Sequence, residues 1–191
     1  MNRSKASPTG LPATGLPATG LPVSVLLTAC GTDAAVAARL AAVGPALAAA
    51  LAVPLGPPLA GEDPTPVLAA FARRGGTALV PLALDAGRPL AAGGCWAEAL
   101  AAWRQPVLLL IAADQLESGV AAGATALLQQ AGVPLLGLIQ VGGAWCPDRR
   151  RGDGLPWLGA ISPADGVADG AADGVALLVR RRLERLNPGP G

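Results

Sequence analysis

Hydrophobic and polar positions along this chain alternate between short, unbroken apolar runs and longer Ala-rich stretches. Val23–Ala29 is a Val- and Leu-rich run bounded by Pro22 and Gly31, which predicts a buried strand. Asp33 to Ala52 predicts a helix with Asp33 as its N-cap, kinked or split at Gly44-Pro45. Ala78–Leu84 predicts a strand, and Pro81 places it at an edge or end of the sheet. Trp96–Arg104 reads as a short amphipathic helix, and Pro106–Ala113 is the clearest buried strand. Val120–Ala131 predicts a helix closed by Gly132, and Pro134–Val141 another apolar strand. Pro156–Ile161 adds a further edge strand, and Gly174–Leu186 a last helix carrying Arg180, Arg181, Arg182 and Arg185. Strands that are apolar throughout, alternating with helices, imply a mostly parallel sheet covered on both faces: a three-layer, doubly wound α/β fold.

The flanks carry a different pattern. Thr-Gly-Leu-Pro recurs at 9–12, 14–17 and 19–22, with units too small to bury a core. Residues 1–22 therefore read as a disordered, Pro-stiffened extension, 23–186 as one α/β domain and 187–191 as a disordered tail. Ala-Asp-Gly recurs at 164–166, 168–170 and 172–174. It lacks the closing Glu of a calcium loop and reads as a solvated approach to the last helix.

Composition narrows the chemistry. The 191 residues contain no His, so neither a Ser-His-Asp nor a Cys-His nucleophile system can form. A net charge of +1 argues against a nucleic-acid partner. The three cysteines, Cys30, Cys95 and Cys146, are widely spaced and odd in number, fitting free thiols in a reducing, cytoplasmic setting. Leu40 to Gly61 is uncharged, but its many alanines and Pro45, Pro54, Pro57 and Pro58 speak against a membrane span. Leu27-Thr28-Ala29-Cys30 has the small-residue pattern that precedes a lipid-modified cysteine, behind an apolar run that is short for a signal peptide.

The candidate chemistry lies where the first strand meets the first helix. A strand, a Gly turn and a helix N-terminus direct backbone N–H groups at an anion. The segment Gly31-Thr32-Asp33-Ala34-Ala35-Val36-Ala37-Ala38-Arg39 resembles the phosphate loop of dethiobiotin synthetases, Gly-Thr-Asp-Thr-x-Val-Gly-Lys-Thr, matching at Gly31, Thr32, Asp33 and Val36. Arg73-Arg74-Gly75-Gly76-Thr77-Ala78-Leu79-Val80-Pro81-Leu82 resembles the family's Glu-Gly-Ala-Gly-Gly-Leu-Leu-Val-Pro-Leu. The segments starting at Trp103, Ala131 and Val53 resemble later family segments in order, so the likeness spans about 23–162. It implies a P-loop NTPase fold, a homodimer, and ATP- and Mg2+-dependent closure of a ureido ring on 7,8-diaminononanoate with CO2.

The departures fall on the chemistry. The family's loop Lys and magnesium-binding Thr align with Ala38 and Arg39, and its magnesium carboxylate with Arg73. Its Asn-His pair falls near Gly119-Val120, and its base-reading Asn at Val141. No Lys-Pro-x-x-Ser/Thr-Gly segment is present, and the single lysine is Lys5. Phosphoryl transfer depends on positioning and charge stabilisation, and one such group is worth about 10²–10³ in rate. The first expectation is therefore a dethiobiotin synthetase-like protein without catalytic residues, its vestigial phosphate loop binding nucleotide or another anion weakly at most. Two alternatives stand beside it: an active enzyme using Asp114, Glu117 and Arg39, and a secreted or lipidated protein anchored at Cys30.

Three further side-chain groups have simple readings. Trp96 and Trp103, seven apart, share a helical face that suits a core or dimer contact. Arg149–Arg151 reads as a solvated loop or an anion site. The arginines of the last helix suit its C-terminal dipole.

Overall fold

The computed structural model describes residues 21–162 and 170–186. The expectations for 1–20, the first two Ala-Asp-Gly units up to Asp169, and 187–191 lie outside the described residues.

Five strands form one sheet: β1 (Val25–Ala29), β2 (Leu79–Pro81), β3 (Val107–Ala112), β4 (Leu135–Val141) and β5 (Trp157–Ile161). Their order is β2-β1-β3-β4-β5, and every pairing is parallel. Among the described residues, six α-helices accompany them: α1 (Asp33–Leu51), α2 (Pro64–Arg74), α3 (Trp96–Ala102), α4 (Val120–Ala131), α5 (Pro147–Gly152) and α6 (Ala171–Leu186). The architecture is a three-layer α/β fold.

Side chains of the central strands alternate between two cores. Val25, Leu27, Leu108 and Leu110 meet α1 and α6 on one face. Leu26, Leu109 and Ile111 meet α2, α3 and α4 on the other. Because both faces are covered, β1 and β3 are buried at every position, which is why they read as unbroken apolar runs. The sheet order changes direction between β1 and β3. In doubly wound sheets, ligands enter beyond the carboxyl ends of the strands at such a switch point.

Several local expectations need correction. Thr32, not Asp33, is the N-cap of α1, and its hydroxyl accepts from the Ala35 N–H at 3.3 Å. Helix α1 runs unbroken through Gly44-Pro45 to Leu51. Its buried stripe of Val36, Leu40, Val43 and Leu47 packs on the sheet, so tertiary packing outweighs the proline's missing donor. Strand β2 is only Leu79–Pro81; beyond it, Leu55 and Leu59 bridge to Leu79 and Leu82 and cover that edge. Helix α2 was not predicted. Asp63 caps it by accepting from Thr65 N, and Pro64 sits at its first position. The third Ala-Asp-Gly unit, 172–174, belongs to α6 rather than to a loop.

The Arg149–Arg151 segment is the short helix α5, not a solvated loop. Arg149 pairs with Glu117 at 2.6 Å, Arg151 pairs with Asp148, and Arg150 is buried beside Asp153 with its guanidinium 5.2 Å from the Trp157 ring centre. Each guanidinium thus already has a carboxylate. The two tryptophans of the α3 segment also part company. Trp96 is fully buried and donates to Gly61 O at 2.9 Å, whereas Trp103 lies past the helix end and is exposed.

Strands β4 and β5 each carry one extra residue. The β3–β4 register passes from Val107↔Leu135 to Leu108↔Gly137, and β4–β5 from Leu138↔Trp157 to Ile139↔Gly159. The Arg182 guanidinium of α6 reaches into this irregularity and donates to Leu136 O and to Pro156 O at 3.1 Å. Arg180 of the same helix donates to Ala50 O, at the C-terminal end of α1, at 2.9 Å.

Candidate functional site

The loop leaving β1 is short. Only Cys30, Gly31 and Thr32 separate the strand from the first turn of α1, and Gly31 takes φ +123°, which favours glycine. Ala37, Ala38 and Arg39 therefore lie within α1. A phosphate cradle needs a run of non-helical residues whose N–H groups converge on one point. Here that run is three residues long.

Two side chains close over it. Asp85, beyond β2, accepts from Gly31 N through Oδ2 at 2.9 Å and from Gly87 N through Oδ1 at 2.9 Å. Its carboxylate thus engages the Gly31 amide of the loop that leads into α1. Arg39 turns back along the helix and donates to Cys30 O, which also accepts from Gln115 Nε2 at 3.2 Å. Gln115 is fixed in turn by accepting from Ala112 N at 3.1 Å. Arg88 spans the outside, donating to Asp33 at 2.7 Å and Glu62 at 2.8 Å.

Beside this loop lies a pocket of about 420 Å3 between the ends of β1 and β3 and helix α4. Leu109, Val120, Ala124 and Leu127 give it apolar walls, with Cys30, Asp85 and Arg88 at its polar end. It lies at the switch point, where the strand order leads one to look. Burial, then the Asp85 charge, pushes the Cys30 thiol up from 9.0 to about 12, with Arg39 opposing. The thiol is neutral near pH 7 and is no nucleophile there.

No family model and no curated protein matches this chain.

The sequence-derived candidates therefore rest on geometry. Gly31, Thr32, Asp33 and Val36 serve as turn, cap, first helical residue and buried anchor. Asp33 faces Arg88, and Val36 is fully buried in the core under α1. Of the substitute residues weighed for activity, Arg39 is held on Cys30 O, Glu117 pairs with Arg149, and Asp114 is exposed. Among the described residues, no group of three or more His, Cys, Asp or Glu side chains is placed to hold a metal ion. Cys30 is buried at the end of β1, so cleavage ahead of it would remove a strand paired on both sides. Helix α1 has the length and apolarity to cross a membrane, yet its Leu40, Val43, Leu47 and Leu51 are buried against the sheet.

Sequence reasoning missed Asp85, Gln115, Arg88 and Glu62. Asp85-Ala86-Gly87 was legible as a turn, since Asp commonly accepts from the N–H two residues on. That its second oxygen reaches Gly31, 54 residues earlier, is a property of the β1–β2 pairing and of nothing local.

Proposed function

We propose that this chain is a dethiobiotin synthetase-like protein of the cytoplasm that retains the α/β scaffold without ATP-dependent ureido-ring closure. The observation that carries the reading is the Asp85 carboxylate on the Gly31 amide. A triphosphate approaching α1 would have to displace a carboxylate from two amides. It would then meet Asp33, Glu62 and Asp85 against Arg39 and Arg88 only. A helix N-terminus attracts an anion by a fraction of a charge, which cannot outweigh that set. The loss of loop Lys, magnesium hydroxyl and magnesium carboxylate supports the same conclusion, because each stabilises charge in the transition state.

The test is growth of a biotin auxotroph lacking its synthetase. Cells expressing this chain in folded form are expected to need added biotin, while an active synthetase rescues them. Growth without biotin overturns the proposal.

A further inference from the structure

The pocket beside the loop carries an inference that goes beyond this reading and does not rest on it. Its walls are apolar, and two glycines shape it. A Cβ built on Gly123 meets nothing within 4 Å, so α4 leaves open space there in place of a side chain. A Cβ on Gly87 would stand 3.0 Å from Leu127 Cδ1, so the opposite wall already closes to contact. With about 30 Å3 for each water-sized group, the pocket's about 420 Å3 holds an apolar body of about ten non-hydrogen atoms once its open mouth is allowed for.

Charge selects the polar end. Asp85 lines the pocket and gives one lone pair of each oxygen to a backbone amide, leaving further acceptor capacity on both. Arg88, at the mouth, is engaged by two carboxylates, Asp33 and Glu62. The Cys30 thiol stays neutral and adds no second charge. Asp85 and Arg88 are the charged side chains that line the pocket, and Arg88 is already held by Asp33 and Glu62, so the carboxylate with spare acceptor capacity favours a cation over an acid.

We propose that this pocket binds a small apolar molecule bearing a single primary ammonium group and no carboxylate or phosphate, with the ammonium on Asp85 and the apolar body against α4 at Gly123.

Calorimetric titration and saturation-transfer NMR on the full chain test this with 2-phenylethylamine, 2-phenylethanol and 3-phenylpropionate. The amine is expected to bind, the alcohol about tenfold more weakly for want of a charge-assisted bond, and the acid not at all. Asp85→Asn should weaken the amine about tenfold while leaving the alcohol nearly unchanged. Gly123→Leu fills the open space with a good helix former, so it should abolish binding of both without lowering Tm. Absence of amine binding at millimolar concentration overturns the proposal. So does acid binding as tight as the amine's, or unchanged binding in Gly123→Leu. Should Asp85→Asn unfold, the amine-to-acid comparison and Gly123→Leu still decide the matter.

Discussion

Replacing Arg182 with methionine tests how the paired irregularities in β4 and β5 are held. Methionine keeps an apolar stem of similar reach and removes the guanidinium, so the change isolates the hydrogen bonds. Arg182 donates to Leu136 O, to Pro156 O at 3.1 Å and, at the limit of bonding, to Trp157 O at 3.5 Å. Pro156 O also accepts from Leu138 N at 3.1 Å and stays served without the arginine. The loss therefore falls on Leu136 O, for which one charge-assisted bond is worth about 1.5–3 kcal/mol. A partial offset comes from the arginine itself, because burial and then the Arg185 charge push its pKa down and disfavour the charged form. The net expectation is a loss of about 1–2.5 kcal/mol out of the 5–15 kcal/mol typical of a domain. Equilibrium urea unfolding of Arg182→Met beside Arg181→Met, an exposed position on the same helix, supplies the measurement. Arg181→Met should stay within about 0.5 kcal/mol of the parent protein. An Arg182→Met midpoint no lower than that of the control would refute the reasoning.

Other outcomes follow from the same contacts. Gly137→Ala would put a Cβ 2.5 Å from Pro156 O and 2.6 Å from an Arg182 nitrogen at φ +151°, costing about 2–6 kcal/mol, read by urea unfolding. Combined with Arg182→Met it should cost less than the sum, because one of the three close contacts, to Pro156 O, Arg182 and Leu158 Cγ, disappears. Thr28→Val removes the buried hydroxyl that donates to Leu84 O at 2.8 Å and should lower stability by about 1–3 kcal/mol, whereas Ser24→Ala, at a partly exposed bond, should lower it less. With a disulfide reagent near pH 8, exposed Cys146 should react first and Cys30 only on unfolding. Since the Cys30 pKa is raised in the folded state, its contribution to stability is whole below pH 9 and declines from there towards about 12. A Cys30→Ala variant should show a flatter alkaline unfolding profile over that interval.

The sheet was largely legible because burial on both faces leaves an unmistakable mark on sequence. Val107–Ala112 is apolar along its length and Leu135–Val141 at every position but Gln140, and both are strands between covering layers. Helix α4 ends at Gly132 with φ +85°, where the glycine signal placed its end. What failed to show was whatever depends on distant partners. Proline misled in opposite senses: Pro45 is carried inside α1 by packing, while Pro147 begins α5 instead of leading into a loop. Only Leu68 of α2 is fully buried, so that helix leaves too narrow an apolar stripe to be read. At the site, the strand, glycine turn and helix start were read from the local sequence and the loop residues from the family resemblance, but Asp85 and Gln115 come to it from beyond the ends of β2 and β3. Their role exists only once the sheet is assembled.

With the Asp85 carboxylate on the Gly31 amide, the loop ahead of α1 is proposed to hold no nucleotide. Titrating the full chain with Mg-ATP while following Tm tests it most directly, since a ligand at 100 times its Kd adds about 2.7 kcal/mol of stability. Unchanged Tm through millimolar Mg-ATP is the predicted result. A saturable rise in Tm of the unaltered chain would contradict it.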